Sequence, residues 1–111
     1  MFDSRRKVSR DEALAALPGP GGERFRTLFR HGTLEVEIYA PIGRDPQTPH
    51  TRDEAYVVIS GSGAFVCDSK REAFGPGDFL FAPAGAVHRF EEFTPDLAVW
   101  VLFYGPEGGE A

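Results

Sequence analysis

The sequence predicts an all-β domain that closes into a small barrel behind one short helix. Three observations carry that prediction. Thirteen Gly and nine Pro stand beside ten Phe, the composition of many short strands joined by tight turns. Beyond residue 22, strand-length apolar runs alternate with turns bearing Gly, Pro or Asp, and none has helical spacing. A chain of 111 residues can bury one core without staples, so a single domain is expected.

The elements follow in order. Ser9-Arg10-Asp11-Glu12 ahead of Ala13-Leu14-Ala15-Ala16-Leu17 is a capping box opening the helix. Pro18-Gly19-Pro20-Gly21-Gly22 ends it. Glu23 to Arg30 and Thr33 to Ala40 form a hairpin turning at His31-Gly32, with Leu34, Val36 and Ile38 alternating against Glu35 and Glu37. A polar loop runs from Pro41 to Pro49. Strands are then expected near 54–60, 64–67, 72–74, 78–82, 87–91 and 97–104. Residues 1–22 thus make an arm and helix, 23–105 the barrel, and 106–111 a loose tail.

Tyr56-Val57-Val58-Ile59 and Leu97 to Tyr104 are apolar on both faces. A barrel strand turns one face inward, so its outer face needs cover too. The N-terminal hairpin and a second subunit are the expected sources, which makes a homodimer the prediction.

Net charge is −5, and the basic cluster Arg5-Arg6-Lys7 is too short for a phosphate-binding stripe. Nucleic acid is therefore not an expected partner. No apolar run reaches membrane-spanning length, and the first residues lack the apolar core of a signal peptide. With Cys67 as the one cysteine, the chain is expected in the reducing cytoplasm.

The chemistry concentrates at His50, Glu54 and His88. Each stands beside a glycine-punctuated strand, and two imidazoles with a carboxylate are ligands that hold a divalent transition metal. Zn accepts such a set with water in a fourth place, and Fe, Mn or Ni would leave positions open for substrate. A metal-free polar pocket, with the carboxylate kept ionised by a histidine or by Arg52, is the other reading.

The spacing resembles the cupin superfamily over roughly 43–103. The second cupin motif (Gly, five residues, Pro-x-Gly, two residues, His, three residues, Asn) is met by Gly77, Pro83, Gly85 and His88, with Glu92 in place of Asn. The first (Gly, five residues, His-x-His, three or four residues, Glu, six residues, Gly) is met by His50, Glu54 and Gly61. Thr48 takes the place of its first histidine. The rival register, with His50 as that first histidine, would put Tyr56 where Glu belongs.

The resemblance implies a cupin-type double-stranded β-helix, or jelly-roll barrel, with His50, Glu54 and His88 as metal ligands. Tyr56 and Thr48 are the candidate proton-handling groups. Arg52 and Phe90 are candidates for contact with a small-molecule ligand. Gln47, one residue out of phase with Thr48, is expected to face away unless the strand is bulged. Cupins include dioxygenases, isomerases, lyases and non-catalytic binders, so a metal-dependent enzyme and a metal-free binding module both remain open.

Overall fold

The computed structural model describes residues 6–111; Met1 to Arg5, with the first residue of the basic cluster, lie outside the described residues. The helix α1 spans Arg10–Ala15. Ser9 Oγ accepts from Glu12 N at 3.1 Å, and Glu12 Oε1 from Ser9 N at 3.5 Å, so the capping box is formed. Eight strands follow: β1 Phe25–His31, β2 Leu34–Tyr39, β3 Asp53–Ser60, β4 Gly63–Cys67, β5 Lys70–Phe74, β6 Phe79–Ala82, β7 His88–Glu91 and β8 Ala98–Tyr104.

They form two antiparallel sheets, one ordered β1-β2-β8-β3-β6 and the other β5-β4-β7. The two doubly apolar strands, β3 and β8, are inner strands of the large sheet, as is β2. Tyr56, Val58, Val99, Val101 and Phe103 point from them into the barrel. Ile59 and Trp100 point outward, where they meet Ala13 and Leu14 of α1 together with Leu28 and Ile38. The outer cover thus comes from the helix. The β1–β2 hairpin, expected to supply it, instead extends the sheet edgewise by pairing β2 with β8. That arrangement turns Leu34, Val36 and Ile38 away from the barrel and leaves Glu35 and Glu37 on the interior face.

Inside, Tyr56, Phe65, Phe74 and Phe90 pack ring against ring at centroid distances of 5.1 to 5.6 Å. Full burial of one such phenylalanine is worth roughly 1.5–3 kcal/mol, so this cluster anchors the small sheet on the large one. Asp68 and Ser69 join β4 to β5 with φ of 49° and 72°, a two-residue turn whose twist suits a hairpin. Glu92, with φ of 50°, is left-handed as well. That is the position where the cupin motif carries Asn, a residue that tolerates this conformation better than Glu.

The tail from residue 106, expected to be loose, is tied down. Thr51 Oγ1 donates to the Glu107 carboxylate at 2.9 Å, Gly108 N to Thr51 O at 2.7 Å, and Glu110 N to Asp53 Oδ2 at 2.8 Å. Asp53 also accepts from Ala84 N at 2.9 Å. These two backbone donors, Glu110 first, hold the Asp53 carboxyl below its ordinary pKa against the opposing effect of burial.

Candidate metal centre

The triad is assembled from three places. His50 ends the loop before β3, and Gly85 N donates to its carbonyl at 2.8 Å. Gly85 has φ of 81°, a conformation that suits glycine at this turn. Glu54 is the second residue of β3 and shares its inward face with Tyr56 and Val58. His88 opens β7 on the opposite sheet, paired in register with Cys67. The site therefore straddles the gap between the sheets.

His50 Nδ1 lies 2.6 Å from Glu54 Oε1, and His88 Nε2 lies 2.9 Å from the same oxygen. One ligand atom from each of the three residues falls within 4.8 Å of the others. Glu54 and His88 are buried, while the His50 side chain is 36% exposed and opens the site to solvent. No other group of three such residues gathers among the described residues.

Two observations decide how this cluster fits a metal. Glu54 Oε2 is buried without a hydrogen-bond partner, a costly state for a polar atom, and His88 Nε2 faces only Glu54 Oε1. His88 Nδ1 meets the Ala86 carbonyl at 2.9 Å. Since a carbonyl only accepts, Nδ1 carries the proton and a neutral ring turns its Nε2 lone pair toward Glu54. A metal-ligating histidine is fixed in this way by its second nitrogen. Two lone-pair atoms 2.9 Å apart call for a positive centre, either a proton or a metal ion. The donor set fits a divalent transition metal.

Electrostatics agree. Burial alone would raise the Glu54 carboxyl, but hydrogen bonds and charge from His50 and His88 hold it well below the carboxylate range. Burial would lower His88, yet Glu54 and then the Ala86 carbonyl raise its pKa. Without a metal, a proton occupies the gap.

Beside the triad lies a cavity of about 470 Å³. His50 and Thr48 line it, as the sequence suggests, with Phe103 beneath; the His50 and Phe103 rings meet edge-on at 5.1 Å. Arg52 also lines it, but its Nη1 donates to Thr33 O at 2.6 Å and Gly105 O at 3.4 Å. These bonds engage one arm of the guanidinium in bracing the rim.

Phe90 is 2% exposed within the aromatic core and does not line this cavity. Its place in the small sheet turns it toward Tyr56 and Phe74 rather than a ligand. Tyr56 is fully buried under the loop, its hydroxyl donating to Gln47 Oε1 at 3.2 Å. Burial first, then Glu54, pushes that hydroxyl far above its ordinary pKa. Tyr56 therefore holds its proton and braces Gln47. Gln47 itself faces inward, against expectation, because residues 45–50 are loop rather than strand and strand alternation does not apply.

Sequence reasoning missed two further positions. Asp45 accepts from Tyr39 Oη, from Gln47 Nε2 at 2.7 Å and from Phe90 N at 2.8 Å, riveting the loop to both sheets. Glu37 lines the cavity with Glu35. Burial, then the Glu35 charge, raises its pKa from 4.5 to about 7. The only signal for Glu37 was the alternation of β2, which shows that the two residue sets face oppositely but not which face is interior.

Comparison with known proteins agrees with the architecture. Residues 35–104 match the family model for the cupin domain. An uncharacterized protein of Streptomyces coelicolor is 31% identical over 103 residues, covering 91% of this chain and 98% of the relative. A solved protein from Neisseria meningitidis superposes with a TM-score of 0.69 at 15% identity, over 89% of this chain and 99% of that one. A candidate mannose-6-phosphate isomerase from Ralstonia eutropha gives 0.57 at 26% identity, over 74% and 83%. Two facing sheets, both motif halves at the triad and a family match over most of the barrel lead to one conclusion: the chain belongs to the cupin family.

Proposed function

We propose that this protein is a metal-dependent enzyme acting on a small oxygen-bearing metabolite, with His50, Glu54 and His88 holding an Fe, Mn, Ni or Zn ion. The observation that carries the reading is the buried Glu54 carboxylate, with Oε2 unpartnered and His50 and His88 both converging on Oε1. When bound, the ion would supply Lewis-acid polarisation of a substrate oxygen. The chain supplies the rest. Glu54 stays ionised, the Ala86 carbonyl fixes the His88 tautomer, and His50 links the triad to the open cavity.

Thr48 sits on the cavity rim, where its hydroxyl can donate to a substrate oxygen. Phe103 supplies an apolar wall. The Ralstonia neighbour, a candidate sugar-phosphate isomerase, supports an oxygen-rich substrate. A second reading is a non-catalytic cupin that binds a small molecule without metal. It is favoured by Thr48 standing at the exposed rim, where the family motif carries a further histidine.

Elemental analysis of untagged protein, beside His50→Ala and His88→Ala, tests the proposal. Near-stoichiometric transition metal that is lost in both variants is expected. Protein that takes up none of Fe, Mn, Ni, Co or Zn would leave the non-catalytic reading.

A further inference from the structure

The strand β2 presents two carboxylates to the cavity, and their situations differ. Glu35 is ion-paired, its Oε2 lying 2.7 Å from Arg30 Nε and its Oε1 3.8 Å from Arg52. Glu37, one strand repeat deeper, has no cation within ion-pair reach among the described residues. Its one described hydrogen bond comes from Thr27 Oγ1 at 3.4 Å.

The groups facing Glu37 do not relieve it. Glu35 lies on its own strand, Thr27 on β1 and the apolar Val101 opposite it on β8. Of the remaining charged neighbours, Glu54 repels it and only His50 attracts it. A half-buried carboxylate without a counter-ion is an expensive feature to keep. The walls beside it are aromatic, with Phe25 and Phe103 lining the same space. Carboxylate and aromatic faces together are the surroundings that hold an organic ammonium group.

We propose that Glu37 is the counter-ion for a cationic group on the ligand of this cavity, so that the metabolite bears an ammonium as well as the oxygen directed at the triad. The inference names the ligand class of the metal-centre reading and rests on it for the identity of the cavity. The charge balance favours this assignment. An ion at the triad would answer Glu54, and Arg30 with Arg52 answers Glu35, which leaves Glu37 as the one charge for the ligand to meet. The raised proton affinity of Glu37 adds a signature, since an incoming ammonium must displace its proton.

Three probes of matched skeleton test this on chelator-treated protein: 2-phenylethylamine, 2-phenylethanol and phenylacetate, followed by amide chemical shifts of Glu37, Val101 and Phe103. At about pH 8 the amine is expected to bind about tenfold more tightly than the alcohol or the acid, the effect of a single charge contact. Its affinity falls toward about pH 6 as Glu37 takes up its proton. Glu37→Gln removes the preference, and Glu35→Gln, at a position already ion-paired within the chain, retains it. Equal or tighter binding of phenylacetate, an amine preference that survives Glu37→Gln, or no binding of any probe would overturn the assignment. Because the titration needs no metal, its result is separate from elemental analysis of the triad.

Discussion

Replacing Glu37 by Gln should stabilise the chelator-treated protein, and only above a defined pH. The folded-state pKa of Glu37 lies near 7 against an ordinary 4.5. Because the folded value is raised, the unfolded chain gives up its proton first. No penalty exists below about pH 4.5; it grows between the two values and is complete above about pH 7. At ~1.4 kcal/mol for each tenfold change in proton affinity, the gap sets an upper limit of ~3.5 kcal/mol.

Water in the open cavity screens part of this, so ~1.5–3 kcal/mol is the working range. Gln keeps the shape and the acceptor for Thr27 but carries no charge. A domain of this size unfolds with an entropy of ~0.23 kcal/mol per kelvin, so Tm should rise by ~6–13 °C at about pH 8 and stay unchanged at about pH 4.5. Differential scanning calorimetry at both pH values decides. A variant no more stable than wild type at the higher pH would show that burial does not strain this carboxylate, and the charge argument for the cavity would fall with it.

Four other outcomes are expected. Zinc at a hundredfold excess over its Kd should stabilise the wild type by ~2.7 kcal/mol near neutral pH, and His88→Ala should abolish that gain in a thermal-shift titration. Chelator-treated protein should be most stable between about pH 4.5 and 6.5, the ordinary carboxylate and imidazole values. Below that window the Glu54 contribution fades toward its lowered folded pKa, and above it the His88 contribution fades through its raised one; urea midpoints across pH check both limbs. Glu92→Asn should gain ~0.5–1 kcal/mol by relieving a left-handed backbone, less whatever the exposed Arg71–Glu92 ion pair contributes, read as a higher denaturation midpoint. Phe79 and Phe81, 66% and 41% exposed on the edge strand β6, form the face we expect a homodimer to bury, so sedimentation should report a dimer that Phe79→Ser with Phe81→Ser converts to monomer.

The helix, all eight strands and the candidate His/Glu cluster were legible in the sequence, because each is encoded locally. A capping box fixes its own geometry, and two-sided apolar runs mark inner strands wherever they fold. The positions of His50, Glu54 and His88 followed from turn and strand spacing. Glu37 was hidden, since alternation along β2 is symmetric until α1 takes one face. Gln47 was misplaced because strand phase was carried into a loop whose path is set by Asp45. Phe90 was credited to the ligand when its side of β7 belongs to the aromatic core. Which face wins is decided by partners far away in the chain, and no local pattern records them.

Asp53 never touches the candidate ligands, yet one of its oxygens holds Ala84 and the other holds Glu110. Glu54 follows it directly, and His88 lies just past the turn that Ala84 begins. Residues 108–110 are therefore fastened to the same post as two of the three candidate ligands. Slow exchange of the Glu110 amide, far from the centre in sequence, would in turn give a remote readout of how firmly the centre is held.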